Sequence, residues 1–219
     1  ASGCGGDASG QDGLLDHEIL EIVLACIIPR KDTKPLAWDM IRRFGNLKGV
    51  FDASKSELFG VPGLGPRSVQ LLALFRPTCA AYLKNSLDGR SILKTPQKVV
   101  DFCRMKFAGK SHEIVHVLFV DSRNRLVERT IGQGSIDEAA AYPRRLVEEA
   151  VTLKASGFIL VHNHPSGDIR PSNEDRELTK RMLGAAKTID LRFLDHIIIG
   201  HGGYYSFRQE GIFEELENK

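Results

Sequence analysis

The chain has 219 residues, 42% hydrophobic and 26% charged, a make-up that allows one sizeable core or two modest ones. No run of about 18 apolar residues is there to span a bilayer, and no basic segment followed by an apolar stretch and cleavage site opens the chain, so the expected setting is cytoplasmic with no membrane partner. The net charge is only +2, and Cys4, Cys26, Cys79 and Cys103 have no short paired spacing, which argues against a disulfide framework, a thiolate zinc site and any nucleic-acid reading from charge alone.

Residues 1–13 are small and Gly-rich without periodicity, and are expected to be a disordered lead-in. From Asp16 the residues Ile19, Leu20, Ile22, Val23, Leu24 and Ile27 form a helical apolar stripe, with Asp16 as N-cap and Pro29 ending the run. A second helix fits Pro35 to Phe44, stopping at Gly45, and a short third one Asn46 to Phe51. Ser54 and Glu57 have capping-box spacing before a brief helix. The turn Val61-Pro62-Gly63-Leu64-Gly65-Pro66 then leads into a longer helix to Lys84. The polar stretch from Asn85 to Ser91 contains Asp-Gly and places a domain boundary there, giving a small all-α domain at 14–88 and a second domain at 89–219. Ten basic and ten acidic residues precede Gly89, so the helical half is not a basic domain.

The second half mixes strands and helices. Thr95-Pro96 has the form of an N-cap followed by proline at the first helical position, opening a helix to about Phe107. Strands are expected at Glu113–Asp121 and Leu126–Ile131, joined as a hairpin through Ser122-Arg123-Asn124-Arg125. A helix from Pro143 through Ala155 precedes the apolar strand Phe158-Ile159-Leu160-Val161. A helix from Asn173 to Thr188, a strand Phe193–Ile199 and a short strand near Tyr204–Phe207 complete an α/β (α+β) domain.

The chemistry gathers at the end of the apolar strand. Residues two apart on a strand project to one face, so His162 and His164 present two imidazoles to one point. Pro165 stops the strand, the loop Ser166–Pro171 turns the chain back, and Ser172 is a natural N-cap that puts Asp175 in the first helical turn. Two nitrogens and one oxygen without thiolate suit Zn²⁺ with an open fourth position, the arrangement of a catalytic site.

His162-x-His164-Pro165 followed by Ser172-x-x-Asp175 resembles the JAMM metal motif of JAB/MPN-type zinc metallopeptidases, and the fuller string from His162 to Asp168 is similar to the RadC family. The resemblance extends to Ile131-Gly132, Pro143-Arg144, the stretch Asp195 to Gly200 and Tyr205-Ser206-Phe207. It implies a JAB/MPN-like domain, a mixed sheet flanked by helices, with His162, His164 and Asp175 as zinc ligands. It further implies that Ser172 helps to stabilise a tetrahedral oxyanion and that Glu113 is the general acid/base, with Glu128 as its competitor. Asn163 stands where eukaryotic JAMM peptidases have Ser or Thr, as is usual in the RadC branch, and this leaves peptide specificity open. Of the remaining histidines, His116 is expected to pack or lie near the site, Asp195-His196 to order the last strand, and His201 to mark a turn.

The turn at Val61 to Pro66 resembles a helix-hairpin-helix, whose glycines let backbone N–H groups approach a phosphate at the start of the next helix. Gly63, Gly65, Arg67 and Ser68 are the candidate DNA contacts, supplemented by Arg42, Arg43 and Lys48. The expected function is a RadC-like zinc hydrolase of the metallopeptidase type linked to DNA repair. The alternatives are a zinc-dependent nuclease on branched or single-stranded DNA, and a non-catalytic DNA-binding repair adaptor.

Overall fold

A computed structural model describes residues 13–85, 87, 96–108, 112–122, 126–133 and 142–217. The lead-in, most of the polar stretch assigned as the boundary, Thr95 and the hairpin tip lie outside the described residues. The chain divides into two compact units, Ala1–Thr78 and Cys79–Lys219.

In the first unit α1 (Asp16–Ile27), α2 (Lys34–Phe44), α3 (Leu47–Asp52), α4 (Lys55–Phe59) and the first part of α5 (Pro66–Asn85) enclose Leu20, Leu24, Met40, Val50, Leu58, Val69 and Leu72. Each such side chain contributes about 1.5–3 kcal/mol by leaving water. Asp16 is not the N-cap expected: it sits inside the first turn of α1 and its carboxylate accepts the Leu47 amide at 2.9 Å, tying α1 to α3. Asn46 caps α3 through the Gly49 amide, and Ser54 with Glu57 forms the full capping box. Pro77 lies inside α5, where it removes one backbone donor, and the two units divide just after it.

In the second unit α6 (Pro96–Phe107), β1 (Ile114–Asp121), β2 (Leu126–Gln133), α7 (Tyr142–Leu153), β3 (Ala155–Asn163), α8 (Asn173–Thr188), β4 (Arg192–Ile199), β5 (Tyr204–Ser206) and α9 (Ile212–Glu217) follow in order. The strands form one sheet in the order β2-β1-β3-β4-β5, with β3 and β4 parallel and the other neighbours antiparallel. α8 is thus the crossover between two parallel strands. The pleat sorts side chains by period two. Val117, Phe119, Phe158, Leu160 and Ile198 meet α7, α8 and α9 on one face, while Leu118, Val120, Ile159, Val161 and Ile197 meet α6 on the other. Residues buried on both sides explain the unbroken apolar run of β3.

The helix expected through Ala155 ends at Leu153 instead, Lys154 turns with φ 50°, and Ala155 already belongs to β3. α9 was not foreseen. It is short, and Phe213 docks edge-on against Phe193. Between Phe158 and Ile159 the β4 partner jumps from Phe193 to Asp195, so Leu194 is an extra residue that shifts the phase of β4. His196 is turned by this bulge to the face shared with Phe193, toward α8.

Candidate metal centre

β3 ends at Asn163, and the His164 amide continues its pairing by donating to the Ile199 carbonyl at 2.9 Å. His162 and His164 therefore stay in register with the sheet while Pro165 ends the strand. The following turn is tight: Gly167 has φ +87°, and a Cβ there would lie 2.3 Å from Nδ1 of His201. Only glycine fits, and the turn seats the loop against the β4–β5 connection, where His201 lies.

Ser172 caps α8 as expected. Its Oγ accepts the Asp175 amide at 3.0 Å and donates to Asp175 Oδ2 at 2.8 Å, while its own amide donates to Oδ2 at 2.7 Å. The carboxylate is thereby aimed back at the strand end. His162 Nε2 lies 3.0 Å from Asp175 Oδ1, His164 Nε2 lies 3.4 Å from Oδ2, and the two Nε2 atoms are 3.0 Å apart. All three residues offer ligand atoms within 4.8 Å of one another. Burial by itself would raise the Asp175 carboxyl, but the hydrogen-bonding groups around its oxygens outweigh burial and hold it well below its usual range.

His164 Nδ1 faces the Asp168 carbonyl at 2.7 Å. A carbonyl only accepts, so Nδ1 carries the proton and Nε2 of the neutral ring is a bare lone pair turned toward Asp175. A lone pair facing a buried carboxylate and a second imidazole nitrogen asks for a positive charge between them. The donor set thus fits a divalent cation. Asp168 itself is held at about 2 by the Arg170 guanidinium, which grips both its oxygens.

Glu113 stands at the entry to β1, half-buried, and its charge is among those that raise the His164 pKa. The segment is held by Asn163, whose Oδ1 accepts the Ile114 amide at 2.9 Å and whose Nδ2 donates to the His112 carbonyl at 3.1 Å. Asn163 thus pins the backbone on both sides of Glu113 to the strand that carries the histidines. The Glu128 side chain lies outside the described residues. His116 is wholly buried on the opposite face, edge-on to Phe107 at 6.0 Å.

Thr179, which sequence reasoning passed over, and His196, which it assigned to ordering the last strand, lie directly behind the pocket. His196 Nε2 is 2.9 Å from His162 Nδ1, and His196 Nδ1 is 2.7 Å from Thr179 Oγ1. Burial above all pushes the His196 pKa down, so its ring is neutral. Thr179 was findable, since it lies four residues beyond Asp175 and so on the same helix face. His196 was hidden by the bulge.

In the first unit Gly63 has φ +94°, which favours glycine, whereas nothing lies within 4 Å of a Cβ built on Gly65. Arg67 is exposed and Ser68 is buried. Arg42 pairs with Asp39, Lys48 with Asp52, and Arg43 donates to the Gly60 carbonyl.

Paired imidazoles at the end of a central strand, faced by a carboxylate from the crossover helix, define the class: an α/β domain with a candidate metal centre. Residues 93–212, more than half of the chain, match the RadC-like JAB domain, and the chain belongs to that family. Among the described residues no helix is long and apolar enough to cross a membrane.

Proposed function

We propose that this protein is a zinc-dependent hydrolase of the JAMM type, with His162, His164 and Asp175 as the ligands of the metal. The observation that carries the reading is the convergence of two imidazole nitrogens and one carboxylate within 4.8 Å, with Nε2 as the lone-pair nitrogen of the neutral His164 ring because Nδ1 faces the Asp168 carbonyl. Zn²⁺ in such a pocket supplies Lewis acidity, making water a nucleophile near neutral pH and polarising the oxygen of the substrate. Glu113, at the pocket's edge, takes the proton of the attacking water and delivers it to the leaving group. Asn163 fixes where Glu113 stands. Ser172 holds Asp175 in place, and its hydroxyl reaches a developing oxyanion only by letting go of Oδ2, to which it is committed here.

The family resemblance favours an amide or isopeptide bond over a phosphodiester. The test is to incubate zinc-loaded protein with peptide-linked and isopeptide-linked substrates and, in parallel, with labelled branched and single-stranded DNA. Amide cleavage that disappears in Glu113→Gln supports the reading; cleavage of DNA alone replaces it with the nuclease. Cleavage of nothing, together with DNA binding, leaves the repair adaptor.

A DNA partner for the first unit is supported by the open space at Gly65 beside the exposed Arg67 at the start of α5. Backbone N–H groups at a helix N-terminus suit a phosphate there. Arg67→Ala is expected to weaken binding across all sequences alike and to flatten its salt dependence. Unchanged binding would remove this turn as the contact.

A further inference from the structure

The hydrogen bonds behind His162 run into the core and return to the residue that faces it. His162 Nδ1 meets His196 Nε2 at 2.9 Å, His196 Nδ1 meets Thr179 Oγ1 at 2.7 Å, and Thr179 Oγ1 donates to the Asp175 carbonyl at 2.6 Å. His196 and Thr179 are wholly buried and His162 nearly so. The tautomers of the two neutral rings are therefore set along this line of hydrogen bonds.

A hydroxyl has one proton to give, and a carbonyl accepts only. Thr179 gives its proton to Asp175, so it meets His196 as an acceptor and His196 Nδ1 carries the hydrogen. His196, wholly buried with Thr179 and His162 at its two ring nitrogens, then presents a bare Nε2 as a neutral ring, and a neutral His162 donates to it from Nδ1. In that tautomer His162 Nε2 is the lone-pair nitrogen, aimed at Asp175 and His164.

We propose that Thr179 and His196 are positioning residues that lock His162 in its Nδ1–H tautomer, leaving Nε2 free for a cation before one arrives. The purpose of the lock rests on the metal reading, but its existence does not, because the tautomer is set in the metal-free protein. Asp175 serves the pocket twice: its side chain faces the cation site, and its backbone carbonyl starts the relay that prepares His162. The choice of partner also has a chemical effect. A ligand histidine usually donates to a carboxylate, a backbone carbonyl or water, and a carboxylate there makes the ring more basic. A neutral imidazole adds no charge, so a metal held by His162 keeps more of its Lewis acidity.

The test uses the full chain, stripped of metal and labelled with ¹⁵N-histidine, and reads ring protonation from long-range ¹H–¹⁵N correlations at neutral pH. His162 and His196 are both expected as Nδ1–H rings. Thr179→Val keeps the shape but removes the acceptor, and is expected to move both rings toward the Nε2–H form. Zinc affinity, measured by competition with a chelator, should fall about 10–100-fold in that variant. Thr179→Ser restores the hydroxyl and should restore both readouts, which a packing role alone would not do. His162 found as Nε2–H in the wild type overturns the proposal, as does a folded Thr179→Val whose tautomers are unchanged. If Thr179→Val does not fold, the wild-type and Thr179→Ser spectra decide. A wild type that shows the tautomers but takes up no zinc overturns the metal reading and leaves the lock standing.

Discussion

Asn163 Oδ1 accepts the backbone amide of Ile114 at 2.9 Å, joining the last residue of β3 to the first of β1 by a side chain. The contact lies one residue from Glu113 on one strand and one residue from each histidine on the other.

Removing this side chain leaves a buried amide and the His112 carbonyl without their partner. Asn163→Ala is expected to cost about 1–3 kcal/mol in urea unfolding. Asn163→Asp keeps the acceptor for Ile114 but sets a carboxylate against the His112 carbonyl, and should be no better than alanine. Zinc affinity in Asn163→Ala should stay within a few-fold of wild type while any Glu113-dependent turnover falls. A large loss of zinc with intact stability would contradict this division of labour.

Zinc binding predicts a stability increment that chelation removes. At a free concentration of 100 times Kd a native-state ligand adds about 2.7 kcal/mol. The thermal midpoint of the wild type should therefore rise with Zn²⁺ and fall with chelator, at one metal per chain. The variant His162→Ala/His164→Ala should show neither shift, and a response equal to wild type would sink the assignment of ligands.

Protons compete for the same pocket. The hydrogen bond to Asp175 is the largest influence on His164 and raises its pKa against the effect of burial. Because Nδ1 already donates to Asp168, the titrating proton sits on Nε2, facing Asp175. Zinc affinity is expected to weaken as the pH falls through this raised pKa, which lies above the ordinary imidazole value of about 6.5. For the metal-free protein the sign reverses: the charged His164–Asp175 pair stabilises fully below the unfolded pKa, and its contribution is lost as the pH rises through the folded one. Zinc affinity that stays constant from about pH 5 to 8 would contradict the competition.

Gly167 is predicted to be intolerant of alanine for two separable reasons. A left-handed backbone costs an L-residue about 1–2 kcal/mol, and the Cβ would also strike the His201 ring. His201→Ala in the same chain should recover only the second part. Full recovery in unfolding experiments would mean that the backbone carries no strain there.

The legible parts of this protein were those governed by local rules. Ser54 and Ser172 announced helix starts through short-range capping, and α8 falls at Asn173–Thr188 as the pattern of its residues requires. His162, His164 and Asp175 were legible because the strand period and the cap determine where each points. What stayed hidden depended on non-local pairing. The Leu194 bulge decides which face His196 takes, and the clasp of Asn163 on the start of β1 exists only once β1 lies beside β3. Asp16 was misread because a side chain that caps its own helix and one that bonds a neighbouring helix look alike in sequence.

The three donors of the pocket lie within residues 162–175, a short chelate loop of one continuous segment. Loop closure costs only about 0.6 kcal/mol per doubling of length, and little for a loop this short. Bringing the three side chains together therefore needs little long-range closure beyond the strand end and the cap of α8. Glu113 stands at the entry to a different strand and reaches the pocket only when the sheet has formed. The residues that would hold a metal are thus local in sequence, whereas the proposed proton acceptor Glu113 joins them only through the pairing of β1 with β3.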